Sequence, residues 1–140
     1  MEIKQGLYKF KLKKGVKNEK ISEIEAKLAT KLPSELKAFY AFSNGIEGSY
    51  DEPFTYLFNI ISLEDILIQE DRFGEYLEFA EYMIYSEVCG LEIDKLDKNK
   101  YQFFIPRTGN GEDQRVYITN SIKEFISIFT EKGTFGIFKN

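Results

Sequence analysis

Two carboxylate pairs, Glu64-Asp65 and Glu70-Asp71, one thiol at Cys89 and a glycine turn at Gly109-Asn110-Gly111 are the residues whose types could carry chemistry. Paired carboxylates can trade a proton or hold a divalent cation, a thiol can attack as a nucleophile, and a glycine loop can cradle phosphate. The spacing argues for plainer roles. Adjacent residues on a helix diverge around its axis, so neither carboxylate pair converges on one point; capping and solvation account for both. The glycine turn lacks the Lys-Ser/Thr that completes a P-loop and is read as a hairpin loop. Cys89, between Val88 and Gly90, is read as a small buried hydrophobe, and alone it cannot close an intramolecular disulfide.

Histidine is absent. The commonest general base and the commonest nitrogen ligand for zinc or iron go with it. Ser-His-Asp, Cys-His and His-metal devices are excluded, and the expectation is a protein without catalytic residues, cofactor or metal. Carboxylate-only chemistry remains open.

Charge is distributed with more information than its net of −4. Residues 1–20 hold seven Lys against two Glu, whereas residues 44–94 hold thirteen acids against Arg72 alone. A solvated surface usually interleaves both signs, and a field of one sign suits the steering of a basic partner, with plain solubility as the alternative. Six of the nine Tyr (Tyr50, Tyr56, Tyr76, Tyr82, Tyr85 and Tyr101) fall between residues 50 and 101. Tyr serves surfaces where one end of the ring stays wet. The expected partner-binding surface is therefore Glu47, Tyr50, Asp51, Glu52, Glu70, Asp71, Glu75, Tyr76, Glu78, Glu81, Tyr82 and Tyr85. The Lys run at positions 9–17 is read as protection of an edge strand. Direct binding of nucleic acid is not expected, because the rest of the chain would repel it.

The elements that must position these residues follow from periodicity. Tyr8, Phe10 and Leu12 alternate with Lys9, Lys11 and Lys13, the pattern of a half-buried strand. A helix is predicted over about 19–30, with Ser22 and Glu25 at capping-box spacing, and a second over about 33–43 opened by Pro33 and stopped by Asn44-Gly45. Residues 46–55 are predicted as a polar loop and Phe54 to Ile61 as a strand. Ser62 with Asp65 opens a third helix. Strands are predicted near 76–85, 87–94 and 101–106, with a turn at Lys98-Asn99-Lys100. A polar loop over 107–114 precedes a strand from Arg115 to Thr119. Ser121 with Glu124 opens a last helix that ends at Lys132-Gly133, after which Phe135 to Phe138 packs back on the core. The fold class is α+β: a largely antiparallel, mixed sheet with about four helices packed around it. A length of 140 residues suits one domain, 1–140. Neither a signal-peptide run at Met1 to Gly6 nor a span near the roughly 20 apolar residues of a membrane helix is seen, so a cytoplasmic, non-membrane protein is expected.

The order of these motifs carries a resemblance. Lys31-Leu32-Pro33-Ser34-Glu35-Leu36-Lys37 runs on through Phe39-Tyr40 to Ser43-Asn44-Gly45; Ile61-Ser62-Leu63-Glu64-Asp65-Ile66 follows an apolar strand; Ile118-Thr119-Asn120-Ser121-Ile122-Lys123-Glu124-Phe125-Ile126 stands near the end. Together they resemble the SUKH superfamily, the Smi/Knr-like immunity proteins, over about residues 19–130. The Lys-rich strand within 1–18 lies outside the matched region. Many relatives carry a Trp in the first helix and a Gly-rich stretch before the central strands; this chain has neither. The resemblance implies a bacterial antitoxin role, the binding and blocking of a cognate toxin domain, often a nuclease. It brings no catalytic residue and no binding position to carry over.

An acidic, Tyr-rich surface agrees with that implication, since a nuclease must attract phosphate and so presents a basic cleft. Two readings stand: an immunity-type protein that masks a basic toxin as a monomer or weak homodimer, and a general protein-interaction or scaffold module of the same fold.

Overall fold

The computed structural model describes residues 1–5, 8–50, 58–68, 76–82, 87–106, 108–109 and 112–138. Its strands are β1 (Glu2–Gln5), β2 (Tyr8–Leu12), β3 (Ile46–Tyr50), β4 (Phe58–Ile60), β5 (Leu77–Tyr82), β6 (Glu87–Ile93), β7 (Tyr101–Ile105), β8 (Thr108–Gly109), β9 (Glu112–Asp113) and β10 (Val116–Thr119). Four helices are described: α1 (Asn18–Leu28), α2 (Ser34–Phe42), α3 (Leu63–Ile68) and α4 (Ile122–Phe138). An eight-stranded sheet runs in the order β1-β2-β3-β4-β5-β6-β7-β10, and every described pair in it is antiparallel. The architecture is α+β, as the periodicity predicts. The Lys-rich β2 is a full member of this sheet, paired with β3 from Tyr8 opposite Tyr50 to Leu12 opposite Ile46.

Local signals place the second and third helices. Pro33 stands immediately before α2, and the amide of Lys37 donates to its carbonyl at 3.0 Å. At the other end Gly45 takes φ 95°, and a Cβ there would lie 2.5 Å from the carbonyl oxygen of Ile60. Only glycine meets both demands without strain. Asn44 then ties this corner to the next helix: its Oδ1 accepts from the amide of Leu63 at 3.0 Å and its Nδ2 donates to Glu64 at 2.7 Å. Ser62 adds the expected cap, its Oγ accepting from the amide of Asp65 at 3.3 Å. The cap of α4 is more elaborate. Ser121 Oγ accepts from the Glu124 amide at 3.2 Å, and Thr119 Oγ1 donates to Glu124 Oε2 at 3.0 Å.

Four expectations need correction. Helix α1 begins at Asn18, so Ser22 lies inside it; Glu25 is buried and accepts from the amide of Leu32 at 2.7 Å, holding the Leu-Pro corner instead of capping its own helix. Ile46 to Tyr50 is a strand despite its polar, glycine-bearing sequence, because β2 and β4 flank it and take up its backbone groups. The Lys-rich β2 is not the edge strand expected of the Lys run, because β1 pairs along its other side from Glu2 opposite Lys11 to Gln5 opposite Tyr8; the pairing of β8 with β9 within the expected loop agrees with the hairpin reading. Helix α4 continues through Gly133 to Phe138; a mid-helix glycine costs about 1 kcal/mol relative to alanine, too little to end a long helix.

The core is aromatic and is shared by all four helices. Phe125 and Phe129, one turn apart on α4, lay that helix across the sheet. The Phe125 ring lies 4.7 Å from Phe103 on β7 and 5.1 Å from Phe79 on β5. Phe129 reaches Phe58 at 5.4 Å and Phe10 at 5.7 Å. Each fully buried ring contributes about 1.5–3 kcal/mol relative to exposure. From α2, Tyr40 is wholly buried with its hydroxyl donating to the carbonyl of Ile61 at 2.7 Å, and burial pushes its phenol pKa well up.

Candidate protein-binding surface

The face of the sheet opposite this core is set by register. Since Phe10 and Phe58 point to the helices, their neighbours point away. Lys11, Glu47, Asn59, Glu81 and Val88 therefore stand side by side across β2 to β6. Burial deepens along the row: Lys11 and Glu47 are exposed, Asn59 is half-buried and Glu81 is buried. Asn59 Nδ2 donates to Glu81 Oε1. Glu47 also meets Lys13 at 3.5 Å, and Lys9 meets Glu2 at 3.4 Å.

A second cluster occupies the β6–β7–β10 end of the same face. Gly90 on β6 stands opposite Phe104 on β7, which in turn stands opposite Tyr117 on β10. The Phe104 ring lies 5.0 Å from Tyr76 and 6.0 Å from Tyr117. A Cβ on Gly90 would come within 2.7 Å of Phe104 and 2.9 Å of Tyr76, so the absence of a side chain lets both rings close over the strand. The guanidinium of Arg115 lies 4.5 Å from the centre of the Phe104 ring and 5.5 Å from that of Tyr76, and it pairs with Glu92. Tyr117 leaves 54% of its surface exposed at the rim.

The structure separates the residues that sequence reasoning grouped. Strand β5 carries a bulge between Glu78 and Ala80, so that Glu78 opposes Gly90 and Glu81 opposes Val88. The extra residue resets the alternation, and both glutamates turn to the face away from the helices. Both are buried, at 3% and 5% exposure, which removes them from an exposed partner surface. Tyr76 packs on that face just before β5, whereas Tyr82 ends the strand on the helix side, opposite Phe58. Tyr50 ends β3 opposite Tyr8. Glu47 is exposed on the polar row. Asp51, Glu52, Glu70, Asp71, Glu75 and Tyr85 lie outside the described residues.

The acidic tract is also less single-signed in space than along the chain. Of its described members, Glu47 is met by Lys13, Glu64 by Asn44 and Glu92 by Arg115, while Asp94 accepts from the amides of Leu96 at 2.8 Å and Asp97 at 3.1 Å. Those two amides hold the Asp94 carboxyl below the usual carboxylate range. Sequence reasoning missed Asn59, Phe104, Arg115 and Tyr117. The period-two alternation of Lys9 and Lys11 against Phe10 was the available signal for the polar row; nothing local marked the aromatic cluster, which three strands assemble. Cys89 is buried, and burial drives its thiol pKa up, as expected of a structural residue. Among the described residues no group of three or more His, Cys, Asp or Glu could hold a metal ion, and no helix is long and apolar enough to cross a membrane.

An open antiparallel sheet with helices on one face and a polar, aromatic-tipped opposite face defines an α+β protein. The model of the SMI1 / KNR4 family (SUKH-1) matches residues 15–128, and the chain belongs to that family. No curated protein matches the chain.

Proposed function

We propose that this chain is a non-catalytic, immunity-type binding protein that masks a cognate toxin domain. Membership in the SUKH-1 family, a family known for immunity-type proteins, is the observation that carries the reading. The net charge of −4 and the thirteen acids of residues 44–94 favour a basic partner, such as a nuclease domain. The contact surface is the sheet face opposite the helices, with Lys11, Glu47 and Asn59 on its polar row and Tyr117 as its exposed aromatic. A Tyr at the rim of an Arg-aromatic cluster has the composition of an interface hot spot. Paired charges of both signs beside it favour register and partner choice over raw attraction.

The experiment is co-expression. A candidate toxin domain from a neighbouring gene is expressed alone and together with this chain, and growth is scored; isothermal titration with the purified pair then measures affinity and its dependence on salt. Rescue with tight, salt-sensitive binding is expected. Growth arrest undiminished by co-expression would refute the immunity reading.

A further inference from the structure

A groove of about 510 Å³ lies away from the polar row, between the end of α1 and strands β5 and β6. Its floor is apolar: Leu28 from α1, Leu77 from β5, and Leu91 and Ile93 from β6. Leu77 and Leu91 are register partners, so the floor is a strip across two strands. Its rim is cationic. Lys31 follows α1, whereas Lys95 and Lys98 come from the turn after β6. No described acid lies within ion-pair distance of these three, although five other lysines (Lys9, Lys13, Lys20, Lys27 and Lys37) each have one.

The lining also carries one acid, so that three cations stand against one anion. Asp94, which also lines the groove, spends its Oδ1 on the amides of Leu96 and Asp97. The carbonyl end of α1 carries partial negative charge. There Ala29 takes φ 53° and donates to Ala26, Thr30 donates from its amide to Glu25, and the Thr30 hydroxyl donates to Leu28 at 3.3 Å. The rim thus presents positive charge on both sides of an apolar strip, in a chain that is acidic overall.

We infer that this groove docks an acidic peptide segment in which an apolar side chain is flanked by carboxylates. The apolar residue covers the half-buried Leu77 and Ile93, and the carboxylates on either side meet Lys31 and the Lys95–Lys98 pair. An amphiphile with a single charged head would satisfy only one rim, which is why a peptide is the occupant. The assignment does not rest on the immunity reading, although Tyr76 both lines the groove and packs on Phe104 in the aromatic cluster.

The test is fluorescence anisotropy with the full chain and a labelled hexapeptide, Glu-Glu-Phe-Leu-Glu-Glu. Saturable binding is expected, weakening at least tenfold in the Lys31→Glu/Lys95→Glu/Lys98→Glu variant and on replacing the central Phe-Leu with Ser-Ser. Lys31 and Lys95 are exposed and Lys98 is half-buried, and an unchanged thermal melt establishes that the variant is folded; should it fail to fold, the three single Lys→Gln variants are read instead, each expected to weaken binding. Absence of saturable binding, equal binding by the variants, equal binding of the Ser-Ser peptide, or displacement of the peptide by octyl phosphate at lower concentration than by unlabelled peptide would each overturn the inference.

Discussion

Asn59 on β4 and Glu81 on β5 are register partners on the face away from the helices, and the Asn59 amide donates to the Glu81 carboxylate across the strands. The bond joins a half-buried amide to a buried acid, so removing Glu81 takes an acceptor from the Asn59 amide. Glu81→Ala is expected to cost about 1–3 kcal/mol in urea denaturation. In a double-mutant cycle with Asn59→Ala, the two costs should fall short of additivity. Additive effects would show that the pair does not interact.

Gly45 combines φ 95° with a carbonyl 2.5 Å from the place a Cβ would take. Gly45→Ala should destabilise the chain by about 1–3 kcal/mol, read as a lowered urea midpoint with an unchanged slope. A neutral result would mean that the corner between α2 and β3 relaxes freely.

Phe129→Ala removes a ring that meets both Phe10 and Phe58. A loss of about 3–5 kcal/mol is expected. Because this ring brings α4 to β2 and β4, the near-ultraviolet spectrum should change with it. A loss below 1 kcal/mol would place α4 outside the stabilising core.

Asp94 gains its hydrogen bonds as a carboxylate, and its folded pKa is depressed by the Leu96 and Asp97 amides. A depressed acid contributes stability above its unfolded pKa and loses it as pH falls through the folded value. The amide signals of Leu96 and Asp97 should therefore titrate together with a midpoint below the ordinary aspartate value of about 3.9. A midpoint at or above that value would contradict the turn.

Cys89 is wholly buried with its thiol pKa pushed up, a combination that makes it inert. A thiol reagent should label it only at the rate of unfolding, and labelling within seconds at neutral pH would show that the strand opens. Tyr117, by contrast, is accessible at 54% exposure. Its replacement by Ala should leave the melting temperature within a degree or two, as surface changes usually do. In the toxin complex proposed above, the same change should weaken binding about tenfold or more, measured by calorimetry.

The helices, the starts of α2, α3 and α4 and the stop of α2 were legible in the sequence because their causes are local, whereas the start of α1 and the end of α4 were not. Pro33, Gly45, Ser62 and Ser121 act within four residues of themselves, and the spacing of Leu36 and Tyr40 or of Phe125 and Phe129 already states which side is buried. The alternation in β2 was equally plain. What tertiary structure decided depends on partners far along the chain. Ile46 to Tyr50 became a strand because β2 and β4 flank it. Glu78 and Glu81 share a face because the bulge against β6 resets the alternation. Glu25 serves the Leu32 amide seven residues on. Glu47, the member of the acidic tract on β3, came beside Lys11 and Lys13 only when β2 and β3 paired, since charge is counted along the sequence but opposite charges meet only in space.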